Sequence, residues 1–314
     1  MRVLITGAAG FFGRALVRAV ARGGEHVVAA DQIGAEDFRA RPGTPSDRVA
    51  YVPVDVADLA TLGEERIGKI DWIISAAALT PSLQQMQEDP QKLISVNLIG
   101  TLNLLEVARV QGCQSFLFVS SAGVYDQFTE TVLREEDADG GFSLYGSAKL
   151  AAEIMLWRYG LMYDLDVGAI RPTSMYGPAE EMRSTRPFVT QVKLLVDAAL
   201  AHTPVRIESA DARCDWIYVD DVAEAAYSFL SSGMKQRVFN LTSGEAIPFS
   251  KVVQAVQGVA DLVVDTRARE VVDGSPDRPT VISNEKAKAE LGFEPRSLEQ
   301  GVRAYVDELQ GKVE

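Results

Sequence analysis

Along the first 120 positions, apolar residues fall into short, nearly unbroken blocks separated by longer stretches with helical spacing. The blocks are RVLIT at 2–6, HVVAAD at 26–31, VAYVPVD at 49–55, DWIISAA at 71–77 and SFLFVSS at 115–121. A strand with one wet face alternates apolar and polar residues; a block that does not alternate is covered on both faces. FFGRALVRAVARG and PQKLISVNLIGTLNLLEVARVQG lie between blocks and read as helices. After a further helix, FSLYGSAKLAAEIMLWRYG, the block LDVGAIRP at 165–172 continues the rhythm. The pattern predicts an α/β fold, a doubly wound parallel sheet with helices on both faces.

Beyond residue 172 the rhythm breaks. Residues 173–215 are richer in Pro, Arg and Glu, DWIYV and RVFNL again read as core strands, and the tail reads as two helices around a Gly/Pro turn. The expected division is a nucleotide-type domain over 1–172, revisited at about 216–241, and a smaller domain from 173–215 and 242–314.

Composition narrows the partners. The 314 residues carry 31 Lys+Arg against 44 Asp+Glu, a net charge of -13 that repels phosphate backbones and anionic membranes. No apolar run is expected to span a bilayer, and MRVLITGAAG enters a strand directly, without the features of a signal peptide. Cys113 and Cys214 lack metal-ligand spacing, and His26 and His202 are the only histidines, so no metal site is expected. The cysteine usage fits a cytoplasmic protein.

Between the first strand and the first helix, LITGAAGFFGRALV sets Gly7, Gly10 and Gly13. Glycine lets a turn take unusual dihedrals and lets a ligand approach the backbone; the helix N-terminus beyond it can seat a pyrophosphate. The spacing is GxxGxxG, a variant of the dinucleotide fingerprint. Asp31 ends the second strand, 18 residues past Gly13. A carboxylate there accepts from both ribose hydroxyls and repels a 2′-phosphate, and the next residue is Gln32 rather than arginine. NAD is therefore expected rather than NADP.

TGAAGFFG, DV at 55–56, SAAA at 75–78, VNLIGTLNLLEVAR, SSAGVY, YGSAKLAAE, RPTSMYGP, DWIYVDDVAEA and DRP…ISNEKAKAELGFEP follow one another in the order seen in a known group. The chain resembles the extended short-chain dehydrogenase/reductases, specifically the NAD-dependent epimerase/dehydratase family. The resemblance implies a Rossmann-type sheet with a smaller C-terminal substrate-binding α/β domain. It places Gly7, Gly10, Phe11, Phe12 and Gly13 along NAD, with Asp55 and Val56 flanking the adenine and Ala76, Ala77 and Ala78 against the cofactor. Asn97 is implied to order water and backbone near the lysine. Ser121, with Ser120 as the fallback, holds the reacting oxygen; Tyr145 and Lys149 form the catalytic pair. Four residues apart on a helix, phenol and ammonium share a face. The cation and the oxidised nicotinamide are expected to lower the phenol's pKa until it can deprotonate a sugar hydroxyl.

The substrate region departs from the pattern. Arg278 in PDRP matches the family arginine, but Ser174 stands where many relatives carry asparagine. Cys214 stands where they carry arginine, and Arg213 is one residue early. Thr80, Ser120, Ser174, Arg183, Arg186, Arg213 and Arg278 are the substrate-binding candidates, the loop arginines being able to clasp a carboxylate or phosphate. The acidic stretch REEDADGG is expected to be a mobile surface loop. The leading expectation is an epimerase acting on a nucleotide-linked sugar through transient hydride transfer to NAD. The alternative is a dehydrogenase of free sugars or sugar acids with net NADH release, and a non-catalytic NAD sensor is a minor one. Ala122 and Gly123 replace the Asp-Glu of dehydratases, which disfavours dehydration. Family resemblance also implies a homodimer through the helix bearing the Tyr/Lys pair and the helix before it.

Overall fold

Seven parallel strands form the central sheet of the computed structural model, which describes residues 1–39, 47–125 and 131–312. In chain order the strands that matter are β1 (Arg2–Thr6), β2 (His26–Asp31), β3 (Val49–Pro53), β4 (Trp72–Ser75) and β5 (Ser115–Val119), followed by β6 (Asp166–Pro172), β7 (Ser174–Tyr176), β8 (Trp216–Tyr218) and β9 (Arg237–Leu241). In space the sheet runs β9-β6-β5-β4-β1-β2-β3, with every pairing parallel. The chain winds outward from β1 to β3, then returns to β4 on the other side. The ends of β1 and β4 thus diverge into a crevice, the place where open α/β sheets take ligands. Pro53–Asp55, Ala76–Ala77 and Ser120–Ser121, read from the sequence as strand ends, lie at or just beyond the ends of their strands at this crevice.

The helices that cover the sheet or build beside it are α1 (Phe11–Arg22), α2 (Gly100–Gln111), α3 (Leu144–Tyr163), α4 (Gln191–Leu200), α5 (Val219–Ser231), α6 (Phe249–Gln257), α7 (Glu285–Leu291) and α8 (Leu298–Leu309). On one face Leu16, Val20, Val222, Ala226 and Phe229 bury against the sheet; on the other Leu104, Leu105, Ala152 and Leu156 pack on Ile73, Phe116 and Val167. Each large apolar side chain buried in this way contributes about 1.5–3 kcal/mol. A third core joins Val192, Leu195, Trp216, Phe249, Val252, Val302 and Tyr305 from α4, α6, α8 and β8.

Three expectations change. β8 does not join the central sheet: Trp216, Ile217 and Tyr218 pair with Ser174, Met175 and Tyr176 of β7 in a separate two-stranded sheet. A block of three apolar residues can be covered in a small sheet as well as in a large one, so periodicity carried no signal here. The chain also returns to the first domain once more than expected, because Ala287 and Phe293, of and after α7, join the core where α7 packs on α5 and β9, with Leu291 partly buried against it. Finally, Pro90–Gln111 is long and apolar enough, by length and composition, to cross a membrane. It contains a π-helical turn at Ser95–Ile99, and its last part, α2, packs on β4, β5 and α3.

The acidic stretch at 134–141 is anchored rather than loose at its start. Glu135 is buried; its carboxylate accepts the Asn240 N–H at 2.9 Å and its carbonyl accepts from Arg171 Nη1 at 2.7 Å. Arg171 is held in turn by both oxygens of buried Glu153, at 2.9 and 2.6 Å, and donates to Tyr125 Oη at 2.6 Å. This network ties β6 to α3, one helical turn beyond Lys149.

Candidate active site

A cleft of about 1020 Å³ opens at the β1/β4 crevice and extends to β7 and the loops before α4. That is the upper end of ordinary small-molecule sites and suits a dinucleotide together with a second ligand. The turn after β1 forms its floor. Gly7 has φ +68, and a Cβ on Gly13 would lie 1.9 Å from the Gly7 carbonyl oxygen. Only glycines let α1 begin this close to β1, which leaves its first N–H groups facing the cleft. A Cβ on Gly7 would also come within 2.8 Å of the Ala76 and Ala77 backbone, so the small residues after β4 and the turn after β1 require each other. Asp31 lines the cleft; one carboxylate oxygen accepts the Ala9 N–H at 3.0 Å and the other the Gln32 N–H at 2.8 Å. Fixed carboxylate and open glycine cradle fit the two ends of an adenosine diphosphate, with Phe11, Phe12, Val54 and Val56 on the wall.

Two expected cofactor residues sit elsewhere. Asp55 is not on the cleft wall: its Oδ1 accepts the Ala57 N–H at 2.9 Å, and its neighbours Val54 and Val56 face the cleft. Asn97 is wholly buried and also off the wall. Its Oδ1 accepts the Leu79 N–H at 2.8 Å and its Nδ2 donates to the Leu79 carbonyl at 2.9 Å. Asn97 therefore clamps the backbone leading into Thr80.

α3 delivers Tyr145 and Lys149. Ser143 caps the helix, accepting the Gly146 N–H at 3.0 Å. A Cβ on Gly146 would stand 2.0 Å from the Gly123 carbonyl oxygen, so the glycine of YGSAK lets α3 rest on the turn after β5. There the Tyr145 hydroxyl comes close to the side chains of Ser121 and Thr80, and Lys149 Nζ, 5.9 Å from the Tyr145 ring centre, donates to the Val119 carbonyl at 2.8 Å. A Cβ on Gly123 would touch both the Tyr145 ring and Ser121 Oγ at 3.3 Å. The acidic side chain of a dehydratase would have no room there unless that ring moved. Ser120 Oγ is buried without a hydrogen-bond partner among the described residues, beside the same cleft.

Without the cofactor's positive charge, the electrostatics run against a phenolate. Burial raises the Tyr145 pKa, opposed by the Ser121 and Thr80 hydrogen bonds and by the charge of Arg186. Burial also pushes the Lys149 amine down to about 7, against the pull of Glu153. The chain alone therefore holds both groups against charge. An acidic phenol is not a property of the protein by itself.

At the far end, Ser174 Oγ and Cys214 Sγ are 3.3 Å apart and line the cleft with Arg278. Burial raises the Cys214 thiol, which is neutral. Arg213 is not on the wall: its N–H donates to Asp277 at 2.6 Å and its guanidinium pairs with the same carboxylate at 3.6 Å. Strand alternation explains this, since Cys214 and Arg213 must face opposite ways. Asp215, buried and pushed up to about 6 by desolvation, accepts from Thr173 Oγ1 at 2.7 Å and from the Ser243 and Gly244 N–H groups. It pins the segment carrying Ser174. Sequence reasoning missed Asp215 as well as Thr185 and Phe188 on the loop that carries Arg183 and Arg186. A lone acid before a strand and a threonine in a loop carry no periodic signal.

With this geometry in view, the chain matches the NAD dependent epimerase/dehydratase family over residues 3–242. It is 28% identical over 331 residues to a UDP-glucose 4-epimerase of Mycolicibacterium smegmatis, covering 99% of each chain. It is 26% identical over 275 residues to a GDP-6-deoxy-D-mannose reductase of Pseudomonas aeruginosa, covering 84% of this chain and 90% of that one. The structure of a Thermus thermophilus UDP-glucose 4-epimerase in complex with NAD superposes with a TM-score of 0.81 at 27% identity, covering both chains fully. NAD is the cofactor, and the glycine turn and Asp31 have the geometry to hold it. The protein is an enzyme of the extended short-chain dehydrogenase/reductase superfamily and belongs to its NAD-dependent epimerase/dehydratase family.

Proposed function

We propose that the enzyme epimerises a nucleotide-linked sugar by oxidising one ring hydroxyl and reducing the resulting ketone from its other face. The observation that carries this is the Tyr145 hydroxyl, close to Ser121 and Thr80 within the same cleft as the glycine turn. The full-length relatives that are UDP-glucose 4-epimerases support the substrate class.

In this reading Tyr145 takes the hydroxyl proton as the carbon's hydride departs, and returns it when the hydride comes back. Bound NAD supplies the hydride acceptor and donor. Ser121 and Thr80 hold the sugar oxygen and the phenol in line. Lys149, whose amine titrates near neutrality, places a cation behind the ring when protonated and stabilises the phenolate. Ser174, Cys214 and Arg278 take the nucleotide end.

A second reading has one observation in its favour. A neutral thiol at Cys214 cannot clamp a phosphate as arginine does, which suits a dehydrogenase of free sugars or sugar acids. Incubation with UDP-glucose separates the two. Epimer without accumulating NADH is the expected result, from UDP-glucose or from UDP-glucuronate run beside it; stoichiometric NADH, or no epimer from either, refutes it.

We further place the protein in the cytoplasm as a homodimer built on α2 and α3, away from nucleic acid and membranes. Val110, Ile154, Met155, Leu161 and Met162 of these helices are exposed. Light scattering that gives a monomer removes the dimer.

A further inference from the structure

One buried carboxylate stands at two neighbouring exits of the chain from the central sheet. β6 and β9 pair in parallel, with Pro172 opposite Leu241, so their C-terminal ends open side by side. Just beyond them, Asp215 Oδ1 accepts from Thr173 Oγ1 at 2.7 Å and from the Ser243 N–H at 2.9 Å. Its Oδ2 accepts the Gly244 N–H at 3.1 Å. Thr173 follows β6, Ser243 and Gly244 follow β9, and Asp215 leads into β8. Three segments distant in sequence are tied at one point, and burial of the side chain keeps water from replacing it there.

The same short stretch, 213–215, carries the far wall of the cleft. The Asp215 carbonyl accepts the Ser174 N–H at 3.2 Å, and the Arg213 carbonyl accepts the Arg278 N–H at 2.7 Å. Cys214 lies between these two attachments, its sulfur 3.3 Å from Ser174 Oγ. Ser174, Cys214 and Arg278 all line the cleft, whereas Asp215 does not. A shift of 213–215 against the ends of β6 and β9 therefore displaces all three wall residues together. The glycine turn, Asp31 and Tyr145 belong to β1, β2 and α3 and are held independently of it.

An amide cannot replace this carboxylate. Asparagine has one acceptor oxygen and one NH2 group, so in either orientation the NH2 faces the backbone N–H of Ser243 or that of Gly244. One buried donor is then left unmet.

We propose that Asp215 is a positioning residue for the nucleotide end of the substrate, locking the wall of Ser174, Cys214 and Arg278 to the ends of β6 and β9 without touching the ligand. This rests on the nucleotide-linked reading above and adds to it the group that holds the subsite in register.

The test uses NAD-loaded enzyme at about pH 8, well above the value of about 6 to which burial pushes the Asp215 carboxyl. Calorimetry with UDP, dTDP and GDP reads the subsite, and steady-state kinetics with UDP-glucose and UDP-glucuronate separates KM from kcat. In Asp215→Asn the affinity for the preferred diphosphate should fall about tenfold, the scale of one buried hydrogen bond to a charged group. KM should rise by the same factor, with kcat and NAD affinity within about twofold of the parent. Thr173→Val removes one hydroxyl from a side chain of the same shape; it should weaken diphosphate binding by a smaller factor, and Thr173→Ser should restore it. This second pair decides the matter if Asp215→Asn does not fold. Combined with Asp215→Asn, Thr173→Val should cost nothing further. Losses that add overturn the clamp, because the Thr173 hydroxyl would then serve the ligand directly. Undiminished diphosphate affinity in Asp215→Asn or Thr173→Val overturns the proposal and leaves the nucleotide-linked reading standing. NAD affinity that falls in step with diphosphate affinity also overturns it, since Asp215 would then support the fold at large. A parent enzyme that binds none of the three diphosphates refutes the nucleotide-linked reading, and the proposal with it.

Discussion

Lys149 is buried inside the protein at the expense of its charge, and this can be measured without a substrate. Its amine falls from 10.5 to about 7. At about 1.36 kcal/mol per unit, burial of the ammonium costs the folded state about 5 kcal/mol at pH values below 7. Between about 7 and 10.5 the unfolded chain still holds the proton and the folded chain does not. The unfolded state then binds more protons, so stability rises with pH across this window. Lys149→Met keeps the length of the side chain and removes the titration. It also removes the bond to the Val119 carbonyl, but that loss does not vary with pH. The informative quantity is thus the change in the difference between the two proteins. Integrated between about pH 6.5 and 9.5, the advantage of Lys149→Met over the parent should shrink by about 3 kcal/mol. Urea unfolding of both cofactor-free proteins at these two pH values measures it. Parallel stability curves, differing by less than about 1 kcal/mol across the range, would show that Lys149 is not desolvated, and the electrostatic description of the site would fail.

Tyr145→Phe keeps the ring packed on Gly123 and removes only the hydroxyl; kcat should drop by about 10²–10⁴ while NAD binding persists, measured by steady-state kinetics and titration with NAD. Gly13→Ala drives a methyl into the Gly7 carbonyl, so NAD binding should be lost with thermal stability lowered, seen by calorimetry and melting. Arg171→Met leaves Glu153 buried and unpaired, and should destabilise the fold by about 3–5 kcal/mol in urea titrations, whereas Arg206→Met, at a half-exposed ion pair, should change little.

Much of the sheet was legible because burial on both faces leaves a mark on composition. β1, β2 and β5 are found where their apolar blocks lie, and β4 lies inside its block. The mark fades in short elements: DWIYV reads the same whether it enters the central sheet or pairs with Ser174–Tyr176. In the site, Gly7, Gly13, Asp31, Ser121, Tyr145 and Lys149 all line the cleft, since each residue type meets a local demand of a turn, a helix start or a strand end. Asp55, Asn97 and Arg213 do not line it, because which way a side chain turns depends on neighbours distant in sequence: Asn97 serves Leu79, and Arg213 serves Asp277.

By itself, the order of apolar blocks and glycines determined a parallel sheet, a dinucleotide turn, and a tyrosine and lysine on one helical face. Those depend on dihedral freedom and periodicity, which act within a few residues. Tertiary structure alone decided the charge state of that pair and the partners of the arginines. Desolvation, and the choice of hydrogen-bond acceptor, arise only when segments far apart in the chain, such as Glu180–Arg186, Thr80 and α3, close around the same space.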